Sequence, residues 1–118
     1  MTDREMLELA ARAAGLKEFT EINGRFAVRT RFTGMQDWSP WNPLTDDGDA
    51  LRLAVKLELI LCVRREGVTD ATMHAPRTGM TPYLSFLEQH KDDPYAATRR
   101  AIVRAAAEIG RQMEESND

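Results

Sequence analysis

Three side chains of this sequence have the chemistry of soft or borderline metal ligands, namely Cys62, His74 and His90. They are isolated along the chain, whereas zinc sites are built from closely spaced pairs of such residues. We therefore predict ordinary core or surface roles for them, and no bound metal. The two histidines are also the natural candidates for general acid–base catalysis, but neither lies in a recognisable catalytic motif.

Three carboxylates lie close together at Asp46, Asp47 and Asp49. Carboxylate oxygens suit hard cations, but the spacing is not that of a calcium loop and the distal glutamate is missing. Carboxylates in the first turn of a helix accept hydrogen bonds from its free N–H groups and face the positive end of its dipole. We therefore predict that these residues cap a helix.

Nucleophilic chemistry has no support in the sequence. No serine lies in a Gly-x-Ser-x-Gly turn, and no glycine-rich phosphate loop is present. The single cysteine excludes an intramolecular disulfide framework, and Cys62 lies in the apolar run at 59–63, where we expect a small buried side chain. We predict that the protein is not an enzyme and uses no cofactor.

The two tryptophans, Trp38 and Trp41, lie in a segment that contains Pro40 and Pro43. Trp41 directly precedes the capped helix, so we expect it to close one edge of the core. Trp38 is a candidate for an exposed interface residue, because exposed tryptophan near arginine is common at binding hot spots.

A strand is predicted at 25–32, where apolar and basic residues alternate. Phe26 and Val28 would face the core, and Arg29 and Arg31 would lie on the opposite side. The predicted binding residues are therefore Trp38, Arg29, Arg31 and, at the border of the same surface, Trp41. Arg64 and Arg65 would enlarge a basic patch there if their strand adjoined this one.

Composition narrows the class of protein. The chain has 118 residues with 42% hydrophobic and 30% charged residues, which fits a single globular domain over 1–118. The net charge of −3 disfavours a nucleic-acid binder held by overall positive charge. The polar start of the chain differs from a signal peptide, and the longest apolar run is too short to span a bilayer, so we expect a cytoplasmic protein.

Hydrophobic periodicity and turn residues predict the secondary structure. The predicted elements are a helix at 2–15, a strand at 25–32, a loop at 33–45, a helix at 46–57, a buried strand at 58–65, a returning strand at 68–75, a short helix at 83–90, and a long helix from Asp93 onward.

Particular residues support the helices. Thr2 and Asp93 are predicted N-caps, and Leu51, Ala54 and Val55 are predicted to face inward. Gly110 is predicted either to permit close packing of the last helix or to start a fraying last turn. The expected fold is α+β, a small mainly antiparallel sheet of about three strands, packed by a central, an N-terminal and a long C-terminal helix.

Two stretches resemble small proteins encoded by tailed phages and prophages and, more distantly, the phage α/β/α-sandwich domain. They are 41–57, WNPLTDDGDALRLAVKL, and 93–110, DPYAATRRAIVRAAAEIG. The resemblance implies a phage or prophage origin and a place in the cytoplasm of a bacterial host. It implies no reaction and no catalytic residues.

The sequence therefore favours a non-catalytic phage accessory protein that acts by binding, in host takeover or counter-defence. Its partner would be a host protein or a second copy of itself, since the amphipathic last helix and the alanine-rich first helix suit a homodimer. One alternative is sequestration of a small anionic ligand or nucleotide beside Trp38, Arg29 and Arg31. Another is a nucleic-acid-binding module that uses the arginine side of the strand.

Overall fold

A computed structural model of the chain describes residues 1–16, 18–29, 38–73 and 84–116. Within these residues the chain forms three helices and two three-stranded antiparallel sheets, which confirms the predicted α+β class. The elements in chain order are α1 (Asp3–Ala13), β1 (Glu18–Ile22), β2 (Arg25–Arg29), β3 (Trp38–Pro40), α2 (Asp47–Lys56), β4 (Ile60–Arg64), β5 (Val68–Met73), β6 (Leu84–Gln89) and α3 (Pro94–Ser116).

The predicted caps begin all three helices. Thr2 Oγ1 accepts a hydrogen bond from the Glu5 N–H at 3.1 Å, which confirms the start of α1. Asp46 Oδ2 accepts from the Asp49 N–H at 2.8 Å at the start of α2. Asp93 Oδ1 accepts from the Ala96 N–H at 3.0 Å at the start of α3. Each bond satisfies a donor that the first helical turn leaves free.

Helix α3 is the centre of the molecule, since α1, α2 and the second sheet all pack on it. Alanine dominates its buried side, and Ile102 and Val103 supply the larger side chains. Gly110 of α3 lies against the backbone of α1, which confirms that this glycine permits close packing. The Tyr95 side chain in the first turn of α3 is exposed.

The first sheet has the strand order β1-β2-β3, with both pairings antiparallel. Phe26 and Val28 of β2 pack against α1, as the alternation of this strand predicts. The predicted loop at 33–45 is wrong for Trp38–Pro40, because these residues pair with β2 as the strand β3. Residues 33–37 lie outside the described part of the chain.

The second sheet has the order β4-β5-β6, with a turn at Gly67 (φ +93°) between the first two strands. Strands β4 and β5 confirm the predicted strand pair. The prediction that the strand at 58–65 is buried is wrong. This strand is β4, which lies at the edge of the sheet with only one face turned toward the helices. Leu61 is half-buried there, whereas Ile60 and Val63 are exposed.

The predicted short helix at 83–90 is also wrong, since residues Leu84–Gln89 form the strand β6. Burial alternates along this strand, with Leu84, Phe86 and Glu88 turned toward α3. A short apolar run fits either a helix or a strand by periodicity alone, and here pairing with β5 decides the outcome. Among the described helices, none combines the length and hydropathy needed to span a membrane.

Candidate functional site

The outward side of the first sheet brings together part of the predicted binding site. Strand pairing places Arg29 of β2 opposite Trp38 of β3, and Ala27 opposite Pro40. The Arg29 guanidinium carbon lies 4.6 Å from the centre of the Trp38 ring, which is a cation–π contact. We call the surface formed by Arg25, Arg29, Trp38 and Pro40 the arginine–tryptophan face.

The Arg29 guanidinium is held in place but not fully paired. Its Nη1 lies 3.4 Å from Glu18 Oε2, across the β1–β2 pairing. Its Nε is buried and makes no hydrogen bond with any described residue. A cavity of about 430 Å³ is lined by Trp38, Arg25 and Ile22. This face therefore offers an oriented cation and an aromatic ring beside an open depression.

Trp41 packs into the core beside this face and lines a separate cavity with Arg25 and Pro40. Its ring centre lies 5.9 Å from that of Phe26, and it packs against the residues around α1 and those around α2 and α3. Trp41 therefore closes the edge of the core, as its position before the capped helix predicts. Arg31 lies outside the described residues.

Arg64 and Arg65 would have enlarged the basic patch if their strand adjoined β2, but they belong to the second sheet or the turn after β4. The Arg64 Nε and Nη2 atoms lie 3.0 and 2.7 Å from Asp70 Oδ2. The hydrogen bond with Asp70 raises the pKa of Arg64 above its ordinary value. The arginines of the two sheets therefore do not form one surface.

A second surface lies between α2 and β4, and sequence reasoning missed it. A groove of about 500 Å³ runs over the first half of α3. Its apolar lining comes from three elements: Ala50 and Leu51 of α2, Leu61 and Val63 of β4, and Tyr95 and Ile102 of α3. We call this surface the α2–β4 groove.

Large apolar side chains at and beside the groove face solvent. The exposed fractions are 60% for Leu51, 68% for Val55, 59% for Val63 and 69% for Tyr95. A contiguous apolar surface of this kind on a folded domain is typical of an interaction site. One feature of the sequence indicates this surface. The apolar residues of α2 cover more of the helix circumference than one buried face requires.

The prediction that Leu51 and Val55 face inward is therefore wrong. The side of α2 that packs on α3 is formed by Ala50, Leu53 and Ala54. Small residues at two of these positions bring α2 close to α3, and the larger neighbours are then turned outward. Periodicity could not choose between these two faces, since both carry apolar residues at helical spacing.

The three aspartates at the start of α2 are engaged within the protein. Asp46 caps the helix, and Asp49 Oδ2 accepts from the Asn42 N–H at 3.0 Å. Asp47 Oδ1 accepts from Arg99 Nη1 at 2.6 Å. Within the described residues, no three His, Cys, Asp or Glu side chains gather closely enough to hold a metal ion.

His90 belongs to a hydrogen-bonded chain of three side chains. Its Nε2 lies 2.8 Å from Thr69 Oγ1, which in turn lies 2.9 Å from Thr98 Oγ1. Thr69 is fully buried, so its hydroxyl cannot meet a substrate, and the chain joins β5 to α3. His74 lies outside the described residues.

Cys62 is exposed on β4, which corrects the expectation of a small buried side chain. It lies on the face of the second sheet that is turned away from α3, at the middle of the strand. The apolar run at 59–63 suggested burial, but the outer face of an edge strand is not covered by any described element.

No known protein family matches this chain, and no curated protein is similar to it. The two surfaces and the chemistry of their residues are therefore the features that bear on function.

Proposed function

We propose that the protein acts by binding another protein, without catalysis, and that the α2–β4 groove is its binding surface. One observation carries this proposal: large apolar side chains from α2, β4 and α3 are exposed around a single groove. Leaving them in water is costly, at roughly 25 cal/mol for each Å² of apolar surface that a partner would cover. A protein partner removes that cost.

The form of the groove favours a protein over a small molecule. One of its walls is the edge strand β4, whose outer backbone groups have no described hydrogen-bond partner. A strand edge is satisfied by another strand, which is a common way for proteins to associate. A small apolar ligand would fill the groove but make no use of these backbone groups, which would stay hydrogen-bonded to water.

We place this activity in a phage accessory protein that works in the cytoplasm of its bacterial host, on a host protein or on a second copy of itself. The support for this part is the resemblance of the stretches 41–57 and 93–110 to phage and prophage proteins. Much of the proposed binding surface lies within these stretches, since they contain Leu51, Val55 and Tyr95.

The test compares capture of partners by three forms of the protein. The wild type, a Leu51→Ser/Val55→Ser variant and an Arg25→Ala/Arg29→Ala variant are immobilised and exposed to bacterial lysate supplemented with an untagged copy of this chain. We expect the groove variant to lose most of the bound protein and the arginine variant to keep it. Capture of the same proteins by all three folded forms would contradict the proposal.

A second candidate function rests on the contact between Arg29 and Trp38, and on the depression that Trp38 lines together with Arg25. Such a pair suits a nucleotide or a single-stranded nucleic acid, through stacking and phosphate contacts. Retention on heparin or single-stranded DNA that falls with salt, and that is lost in the Arg25→Ala/Arg29→Ala variant, would support it. Equal retention of both forms would contradict it.

A further inference from the structure

We infer that the partner in the α2–β4 groove is a second copy of this chain, joined by antiparallel pairing of β4 with the same strand of the other copy. This inference rests on the proposed function, because it names the partner of that surface. It turns two three-stranded sheets into one continuous sheet of six strands across a two-fold axis, the commonest symmetry of protein dimers.

The edge strands β3 and β6 carry protective features that β4 lacks. β3 has three residues and ends in Pro40, which has no N–H to donate. On β6, Arg104 Nη1 donates to the Leu87 carbonyl at 3.0 Å. Strand β4 has the sequence ILCVR, with one charged residue at its end. Exposed apolar edges of this kind are the ones that pair with another chain.

The sequence of β4 is suited to antiparallel pairing with a second copy of the same strand. A two-fold axis through an antiparallel pair requires one residue to lie opposite its own copy, and the middle of Ile60–Arg64 is Cys62. Leu61 then lies opposite Val63 of the second copy, and Ile60 lies opposite Arg64. The groove side of the junction is apolar in both copies, and no like charges meet within the strand.

Exposed apolar side chains beside β4 extend this junction. Leu51 of α2 and Val63 of β4 line the same groove, so α2 lies beside the pairing edge. Leu51 and Val55 are 60% and 68% exposed. Pairing through β4 brings the same apolar side chains of the second copy to the junction, where each copy covers apolar surface of the other.

The test uses Cys62 as a reporter of the pairing. Residues directly opposite in an antiparallel pair have Cα atoms about 4.5–5.5 Å apart, within the range that a disulfide spans. Mild oxidation of the purified protein with diamide is followed by non-reducing electrophoresis. We expect a disulfide-linked dimer to form quickly in native buffer, and much more slowly in urea, and we expect sedimentation equilibrium of the reduced protein to show a dimer.

Two variants serve as matched controls. A Cys62→Ser/Gln89→Cys variant moves the thiol to the same outer sheet face on the opposite edge strand, and we expect its cross-linking to fall at least tenfold. Val63→Lys places a charge at the pairing edge on an exposed side chain, so the variant should fold and sediment as a monomer.

The inference is overturned by a monomer in sedimentation. It is equally overturned by a dimer in which the thiol at position 89 reacts as fast as Cys62, because that dimer would use another surface. Failure of the proposed function is a separate result. The wild type could sediment as a monomer while the Leu51→Ser/Val55→Ser variant still fails to capture a bacterial protein that the wild type binds. That pair of results would keep the groove as the binding surface and exclude only a second copy of the chain as its partner.

Discussion

Gly110 of α3 lies so close to α1 that a Cβ atom at this position would be 2.0 Å from the carbonyl oxygen of Leu9. Because the clashing atom belongs to the backbone of α1, a side chain cannot rotate away to make room, and the two helices must move apart. We predict that Gly110→Ala lowers the free energy of unfolding by about 1–3 kcal/mol, the usual cost of overpacking, despite the better helix propensity of alanine. Urea denaturation followed by circular dichroism measures the change.

Gly48 is the matched control for this prediction. A Cβ there would meet the Arg52 guanidinium at 3.2 Å, and that side chain is flexible and exposed. Gly48→Ala should therefore leave the stability unchanged or raise it by up to about 1 kcal/mol. Equal losses in the two variants would show that the close contact of α1 with α3 is not the cause.

Asp46 is predicted to act as a helix cap. Asp46→Ala removes the acceptor for the Asp49 N–H and should cost about 1 kcal/mol, whereas Asp46→Asn keeps an acceptor and should cost much less. The unfolding midpoint of the wild type should be the same with calcium and with a chelator. A midpoint that rises with calcium would instead assign a cation to these carboxylates.

Glu108 should make stability depend on acid pH. The hydrogen bond from Arg111 holds the pKa of Glu108 below its ordinary value of 4.5. The unfolded chain therefore takes up a proton at a higher pH than the folded chain does. The contribution of Glu108 to stability is complete above pH 4.5 and is lost as the pH falls through the lower folded value.

Chemical denaturation from neutral pH to about pH 3 tests this, with Glu108→Gln as the comparison. We expect the wild type to be the more stable form at neutral pH and the difference to shrink on acidification. A difference that stays constant, or grows toward acid pH, would contradict the assigned pKa direction.

Thr69 is predicted to stabilise the packing of β5 on α3. Thr69→Val removes both of its hydrogen bonds and leaves His90 and Thr98 without this partner, so we expect a loss of about 1–3 kcal/mol. Thr72→Val on the same strand removes one exposed hydrogen bond, to Ser85, and should cost less than about 1 kcal/mol. Thermal unfolding of both variants gives the comparison.

The local features of the fold could be predicted from the sequence. Thr2, Asp46 and Asp93 act within one helical turn, so residue type and position are enough to identify them as caps. The alternation of residues in β2 is also a local feature, because neighbouring side chains of a strand point to opposite faces. It correctly predicts Phe26 in the core and Arg29 outside it. The sequence could predict that Trp38 and Arg29 share a surface, but not that they are in contact. Their contact depends on the pairing of β2 with β3.

The binding groove could not be predicted, because it depends on which apolar side of α2 meets α3. Ala50 and Leu51 are adjacent apolar residues, and the sequence alone does not show which of them is buried. In the structure Ala50 faces α3 and is buried, whereas Leu51 faces solvent. The same holds for β4, where an apolar run reads as buried until its position at the sheet edge is known.

Amide hydrogen exchange of β4 tests most directly whether two copies of the chain associate through the α2–β4 groove. Exchange is compared between dilute and concentrated protein, with β1 and β3 as reference strands in the same sample. We predict that the amides of Ile60–Arg64 exchange more slowly in the concentrated sample, while β1 and β3 are unchanged. Slowing confined to β1 and β3, with β4 unchanged, would contradict the account and place the interaction on the arginine–tryptophan face.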